Sequence, residues 1–219
     1  MSDNVYLGNP NLKKANTAIE FTEDQIVEFI KCKEDPVYFA INYIKIVSLD
    51  EGLVPFDMYD FQEKLIERFH KNRFNICKMP RQTGKSTTCV SYLLHYAVFN
   101  DNVNIAILAN KASTARDLLG RLQLAYENLP TWMQQGIISW NKGSLELENG
   151  SKISANSTSS SAVRGGSYNV IFLDGTLRLL GIIPPFMDID ISIVDKIAEK
   201  VETEVLPLIN QAKGYIPRL

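Results

Sequence analysis

The chain has 219 residues, 45% of them hydrophobic and 10% aromatic, enough apolar mass for a packed core. Its 23 basic residues against 25 acidic ones give a net charge of -2, which excludes a surface built throughout for nucleic acid and leaves only a local patch for such contact. No apolar run approaches the roughly 18 residues that span a bilayer, and MSDNVYLGNPNLKKA at the start has no signal-peptide core, so a soluble, cytoplasmic protein is expected.

The first twenty residues are polar and carry no apolar period, which predicts a loosely ordered arm. Thr22 and Gln25 match a capping box, and Ile26, Phe29 and Ile30 follow at helical spacing. A second helix is expected over Val37 to Ile46, then a turn-rich stretch from Ser48 to Pro55. Phe61, Leu65, Ile66 and Phe69 define the buried stripe of a helix from Phe61 to His70.

From there strands and helices alternate, the pattern of a parallel sheet covered on both faces. Phe74 to Cys77 reads as a short strand running into a turn at Pro80 to Lys85 and a helix from Ser86 to Val98. Val103 to Ala109 is apolar enough for a strand buried on both sides, and Ser113 is placed to cap a helix that runs to Asn128. Ser144 to Glu148 and Lys152 to Ala155 flank Asn149-Gly150, which predicts a hairpin with a type I′ turn. Asn156 to Gly166 reads as a mobile loop, and Tyr168 to Leu173 as another buried strand ending at Asp174. Cys32, Cys77 and Cys89, odd in number and without close pairing, are expected as buried free thiols.

The chemistry gathers around two of these segments. Binding a phosphate chain takes converging backbone N–H groups at a helix start, a Lys for the β/γ-phosphates and a hydroxyl for Mg²⁺. Gln82, Thr83, Gly84, Lys85, Ser86 and Thr87 supply these, although Met79 stands where the common pattern has a further Gly. Asp174, after the apolar run Val170 to Leu173, is the expected Mg²⁺ carboxylate. Arg81 either stabilises charge developing on a γ-phosphate, pairs within the loop or simply faces water, and Arg164 either senses phosphate, touches DNA or decorates a loop. Gln62, behind Tyr59 and Phe61, carries an amide able to read an adenine edge, or is a surface glutamine on an amphipathic helix. Lys111, Arg116, Arg121, Lys142, Lys152 and Arg164 are candidates for a local DNA-contacting patch or for ordinary solvated surface. His70 and His95 lack a neighbouring ligand set and are expected to be structural.

Five stretches carry a family resemblance: YDFQEKLIERF (Tyr59 to Phe69), PRQTGKSTT (Pro80 to Thr88), ILANKASTARDLLGR (Ile107 to Arg121), LPTWMQQGIISWNKGSLELENGSKI (Leu129 to Ile153) and SSAVRGGSYNVIFLD (Ser160 to Asp174). In these the chain resembles the ATPase domain of the large terminase subunit of T4-like tailed bacteriophages. The resemblance implies a P-loop NTPase of the additional-strand, RecA/helicase-like type, with a parallel central sheet flanked by helices and a helical N-terminal arm. It implies ATP and Mg²⁺ as cofactors, and as partners double-stranded viral DNA, a portal protein, a small terminase subunit and further copies in a ring on the portal. The setting would be the cytoplasm of an infected bacterium, with no membrane. Gln62 would contact adenine, Arg81 would act as the in-loop arginine, Lys85 and Ser86 would serve phosphate and metal, and Asp174 would be the Walker B aspartate.

The chain also departs from that family. Gly175 stands where a glutamate normally follows the aspartate, and no acid appears before Asp188. Binding with weak or absent hydrolysis is therefore expected. The expected divisions are an arm and helical subdomain at 1–58, an incomplete ATPase core at 59–174, and an unrelated tail at 175–219. In that tail Val194, Ile197, Val201, Val205 and Leu208 recur at helical spacing. The break after Asp174 suggests a truncated, interrupted or fused gene product without a nuclease domain. A helicase-like translocase and a non-hydrolysing nucleotide-binding fragment remain as alternatives.

Overall fold

The computed structural model describes residues 4–48, 50–80, 82–158 and 167–174. Arg81, Arg164, Gly175 and the expected tail helix from Val194 to Leu208 lie outside them.

The chain opens with a hairpin where a loose arm is expected. Strands β1 (Val5–Tyr6) and β2 (Asn9–Lys13) pair antiparallel. Between them Leu7 and Gly8 both have positive φ, 47° and 81°, as a two-residue hairpin connection demands. The anchor lies far along the sequence. Gln134, buried, accepts the Lys13 N–H at 3.0 Å and donates to the Asn11 carbonyl at 2.9 Å, while Leu12 is buried in the core. The segment then runs on against residues 136–137, with Lys14 bridging Ile137. A Cβ at Gly136 would lie 2.5 Å from the Ala15 Cα, so the close approach requires glycine there.

Helix α1 (Glu23–Glu34) begins with the expected reciprocal bonds, Gln25 N–H to Thr22 Oγ1 at 3.2 Å and Thr22 N–H to Gln25 Oε1 at 3.1 Å. Helix α2 (Pro36–Tyr43) starts on Asp35, whose carboxylate accepts from Val37 and Tyr38 N–H. It stops three residues short of its expected end. Ile46 and Val47 go instead into strand β3 (Lys45–Ser48), which pairs with β4 (Gly52–Pro55), opposite Val54 and Leu53. The expected turn-rich stretch is thus half hairpin, as the β-branched run favours.

In helix α3 (Asp60–Lys71) the inward stripe is Gln62, Ile66 and Phe69, with Leu65 half-buried. Phe61, expected inside, is exposed because Gln62 takes the inward position of the first turn. Residues 72–80 form no regular element, so the expected strand at Phe74 to Cys77 is absent, and Phe74 and Ile76 are exposed. A strand exists only where a partner receives its N–H and C=O groups, whatever its composition.

Helix α4 (Lys85–Phe99) crosses the centre of the molecule with eleven residues buried. Near its far end Phe29, Phe39, His95 and Phe99 stack edge to face or tilted, with centroids 4.9 to 5.4 Å apart. Its last carbonyls are met by distant side chains. Asn149 donates to Ala97 at 2.9 Å and Asn100 at 3.0 Å, Gln135 to Val98 at 3.0 Å, and Ser151 to Asn100 at 2.8 Å. Asn149→Ala is therefore expected to cost about 1–2 kcal/mol in denaturant unfolding. Asn149→Asp should cost no less, since it keeps the acceptor for Ser151 N–H and loses both donor bonds.

Strand β5 (Asn104–Ala109), helix α5 (Ala112–Glu127), and strands β6 (Ile137–Trp140), β7 (Ser144–Leu147), β8 (Lys152–Ser157) and β9 (Val170–Asp174) complete the order. The sheet runs β6-β7-β8-β5-β9. Only β8, β5 and β9 are parallel, while β6, β7 and β8 form an antiparallel meander. The fold is α/β with a mixed sheet, which corrects the expected parallel one. Among the described residues β9 ends the order, and its Ile171 and Leu173 are exposed where a buried strand is expected. Strand β8 extends to Ser157, taking the first two residues of the expected loop into the sheet.

Two local expectations change. At the β7–β8 turn only Gly150 has positive φ, 80°, and its N–H meets the Leu147 carbonyl at 3.0 Å. This is a type I turn followed by a left-handed glycine rather than type I′. Helix α5 starts on Lys111 without a side-chain cap, placing Ser113 inside its first turn. Cys32, Cys77 and Cys89 are free, the first and third buried and the second half-buried. Among the described residues no helix is long and apolar enough to cross a membrane.

Candidate functional site

Helix α4 opens on Gly84, whose backbone is left-handed at φ 71° and ψ 7°. Gln82, also at positive φ (62°), turns the chain two residues earlier. The Gly84 carbonyl already accepts from Thr88, from its N–H at 2.9 Å and its hydroxyl at 3.1 Å. The first amides of the helix have no acceptor within it, no side chain caps them among the described residues, and no acid lies in the first turn. Such an end carries partial positive charge and is suited to an anion.

Lys85 is half-buried, and its Nζ donates back to the Pro80 carbonyl at 3.0 Å. The Thr83 hydroxyl donates to that same carbonyl, also at 3.0 Å. The turn is thus closed on itself through Pro80, a residue that sequence reasoning did not single out. Its contribution comes from a backbone oxygen, which no residue type announces. Ser86 and Thr87 follow, half-buried, in the first helical turn.

Gln62 approaches from the start of α3 and is 3% exposed. Its Oε1 accepts the Tyr59 N–H at 3.0 Å, and its Nε2 donates to the Thr83 carbonyl at 3.1 Å. Beside it the exposed rings of Tyr59 and Phe61 stack at 5.5 Å, 10° from parallel.

Asp174 closes β9, opposite Ala109 in register. Its charge and that of Lys85 converge on Cys89, one turn into α4. Burial first, then Cys77 and Asp174, push the Cys89 thiol up to about 12, while Lys85 opposes them. Lys85 and Asp174 thus both act electrostatically on a residue one turn from the Gly84 turn. Among the described residues no group of three or more His, Cys, Asp or Glu side chains is arranged to hold a metal.

The described candidates for a basic patch lie on separate elements. Lys111, Arg116 and Arg121 are exposed along α5, and Lys142 is exposed between β6 and β7. Lys152 pairs with Glu146 at 2.9 Å and so is partly neutralised. His95 is structural, its Nε2 bonded to the Cys32 carbonyl at 2.7 Å. His70 packs edge-on against Tyr92 and His95.

Residues 76–177 match the family described as terminase large subunit, T4-like virus type, N-terminal. In structure the chain is similar to the crystal structure of the HK97 bacteriophage large terminase, with a TM-score of 0.57 at 18% identity. The match covers 84% of this chain and 36% of that one, so the chain spans well under half the length of the solved terminase. At that identity the likeness speaks for the fold.

Proposed function

Because residues 76–177 match the N-terminal family of T4-like large terminase subunits, we propose that the chain binds MgATP at the start of α4 and forms the ATPase part of a viral DNA-packaging motor. The observation that carries this reading is Gly84, left-handed at φ 71°, opening an uncapped helix whose first residues are Lys85 and Ser86.

In this reading the α4 amides receive the phosphate oxygens, and Lys85 exchanges the Pro80 carbonyl for the β/γ-phosphates. Ser86 and Asp174 offer one hydroxyl and one carboxylate. That is too few donors to hold Mg²⁺ alone, but it suits an ion that keeps several waters and shares substrate phosphates. Arg81, within the loop sequence, is the proposed partner for γ-phosphate charge. The chain would act with double-stranded viral DNA, a portal protein, a small terminase subunit and further copies in a ring, inside the infected bacterium.

Gly175 bears on turnover. With Gly175 rather than an acid following Asp174 in the sequence, binding should outlast hydrolysis. That residue also favours a second reading, a nucleotide-binding fragment that does not hydrolyse. Titrating the protein with a fluorescent ATP analogue in Mg²⁺ while following phosphate release tests both. The expected result is saturable binding with slow release or none. A folded protein without affinity for any nucleoside triphosphate refutes the nucleotide reading.

A further inference from the structure

We propose that residues 189–193 of this chain dock as a parallel strand along the outer edge of β9, so that Asp174 ends a strand held on both sides. The inference concerns the sheet beside the site and does not depend on the MgATP reading.

The two ends of the sheet are unlike. Beyond β6 the arm runs alongside, Lys14 bridging Ile137 and Ala15 N–H meeting the Ile137 carbonyl at 3.3 Å. Beyond β9 no described residue pairs. Strand β5 decides which peptide groups of β9 are left over. The Val103 and Ala109 carbonyls accept from Lys152 and Thr158, so odd-numbered residues of β5 turn to β8 and even-numbered ones to β9. Ala106 and Leu108 stand opposite Ile171 and Leu173. In a parallel ladder only one member of such a pair bonds across it, which turns the N–H and C=O of Ile171 and Leu173 outward. Their side chains are exposed as well, at 39% and 50%. Free peptide groups carrying bare apolar side chains are a template for another strand.

The chain runs on directly from this strand. Residues 175–188 supply the length of about a dozen or more positions that a crossover to a parallel neighbour takes, where a hairpin uses about two to five. Pro184 and Pro185 fall within that connection, ahead of the ladder to which they could not donate. After them Ile189, Ile191 and Ile193 alternate with Asp190 and Ser192, a period of two with a β-branched residue at each apolar position. Three isoleucines on one face form a row able to lie beside Ile171 and Leu173. Asp190 suits a strand that closes the sheet, where a charge discourages further pairing.

Amide hydrogen exchange of the full chain, read residue by residue by NMR, tests this. Ile171 and Leu173 N–H should be protected about as strongly as Phe172 N–H, which faces β5. Nuclear Overhauser contacts should join them to residues 189–193. In the double variant Ile189→Asp, Ile191→Asp, exchange at Ile171 and Leu173 should quicken by about tenfold or more as the isoleucine row is lost, with Phe172 changed much less. Open-chain exchange at Ile171 and Leu173 in the wild type overturns the inference. So does protection that the variant retains, which assigns the edge to another segment. Protection that grows with protein concentration assigns it to a second copy and overturns the inference too. Should the variant not fold, the wild-type contacts decide: their presence supports the inference and their absence overturns it.

Discussion

Lys85→Ala should weaken MgATP binding by roughly 10- to 100-fold, the range for losing a charged hydrogen-bond donor, while leaving the protein slightly more stable. The two effects have separate causes. In the ligand-free chain Lys85 spends its ammonium on the Pro80 carbonyl, an interaction that ends when phosphate arrives. Its cation also sits in the first turn of α4, where the helix dipole disfavours positive charge. Removing it should therefore raise the melting midpoint or leave it unchanged, with a gain of about 0.3–1 kcal/mol at most. Lys85→Arg should not restore affinity, because a planar guanidinium cannot replace a compact point charge in a turn this tight. Unaltered affinity in Lys85→Ala would remove the phosphate role from this residue.

The second large effect is loss of stability in mild acid through His95. Its ring is buried between α1, α2 and α4, and burial, the leading cause, lowers its pKa from 6.5 to about 4. The Nε2–H donates to the Cys32 carbonyl, Nδ1 has no hydrogen bond among the described residues, and the backbone groups of Cys32 and Lys33 offset the effect of burial only in part. Above pH 6.5 the ring is neutral whether the chain is folded or not, and stability is complete. As pH falls below 6.5 only the unfolded chain gains the proton, so stability drops until about pH 4, by about 3 kcal/mol in total. Denaturant titrations between pH 6.5 and 5, above the range of most carboxylates, should lose about 2 kcal/mol. In His95→Gln, which can still donate to Cys32, that slope should flatten. A slope shared equally by wild type and variant would assign the acid sensitivity elsewhere.

What could be read from the sequence is what neighbouring residues decide among themselves. The Thr22–Gln25 box, the α4 helix and the apolar run of β5 are set within a few residues, and each stands near its expected place. Gly84, Lys85 and Ser86 were recognisable for the same reason, being consecutive at a helix start. Pairing decided the rest. Phe74 to Cys77 has strand-forming residues but no described partner, whereas Asn9 to Lys13 has poor ones and is held by Gln134. The contact that Gln62 makes with Thr83 was equally hidden. It depends on how α3 meets α4, and an amide alone on a helix does not disclose what it reaches.

The first strands of the chain have an order-of-synthesis consequence. Lys13 and Gln134 are separated by 121 positions, so a nascent chain releases its opening hairpin long before the residue that anchors it exists. Until Gln134 emerges from the ribosome, Leu12 has nothing to pack beneath and the hairpin, too small to stand alone in water, stays unformed. Closing so long a loop is slow relative to local folding. Docking of the opening hairpin should therefore come late, sealing a sheet that has already assembled from later-made parts.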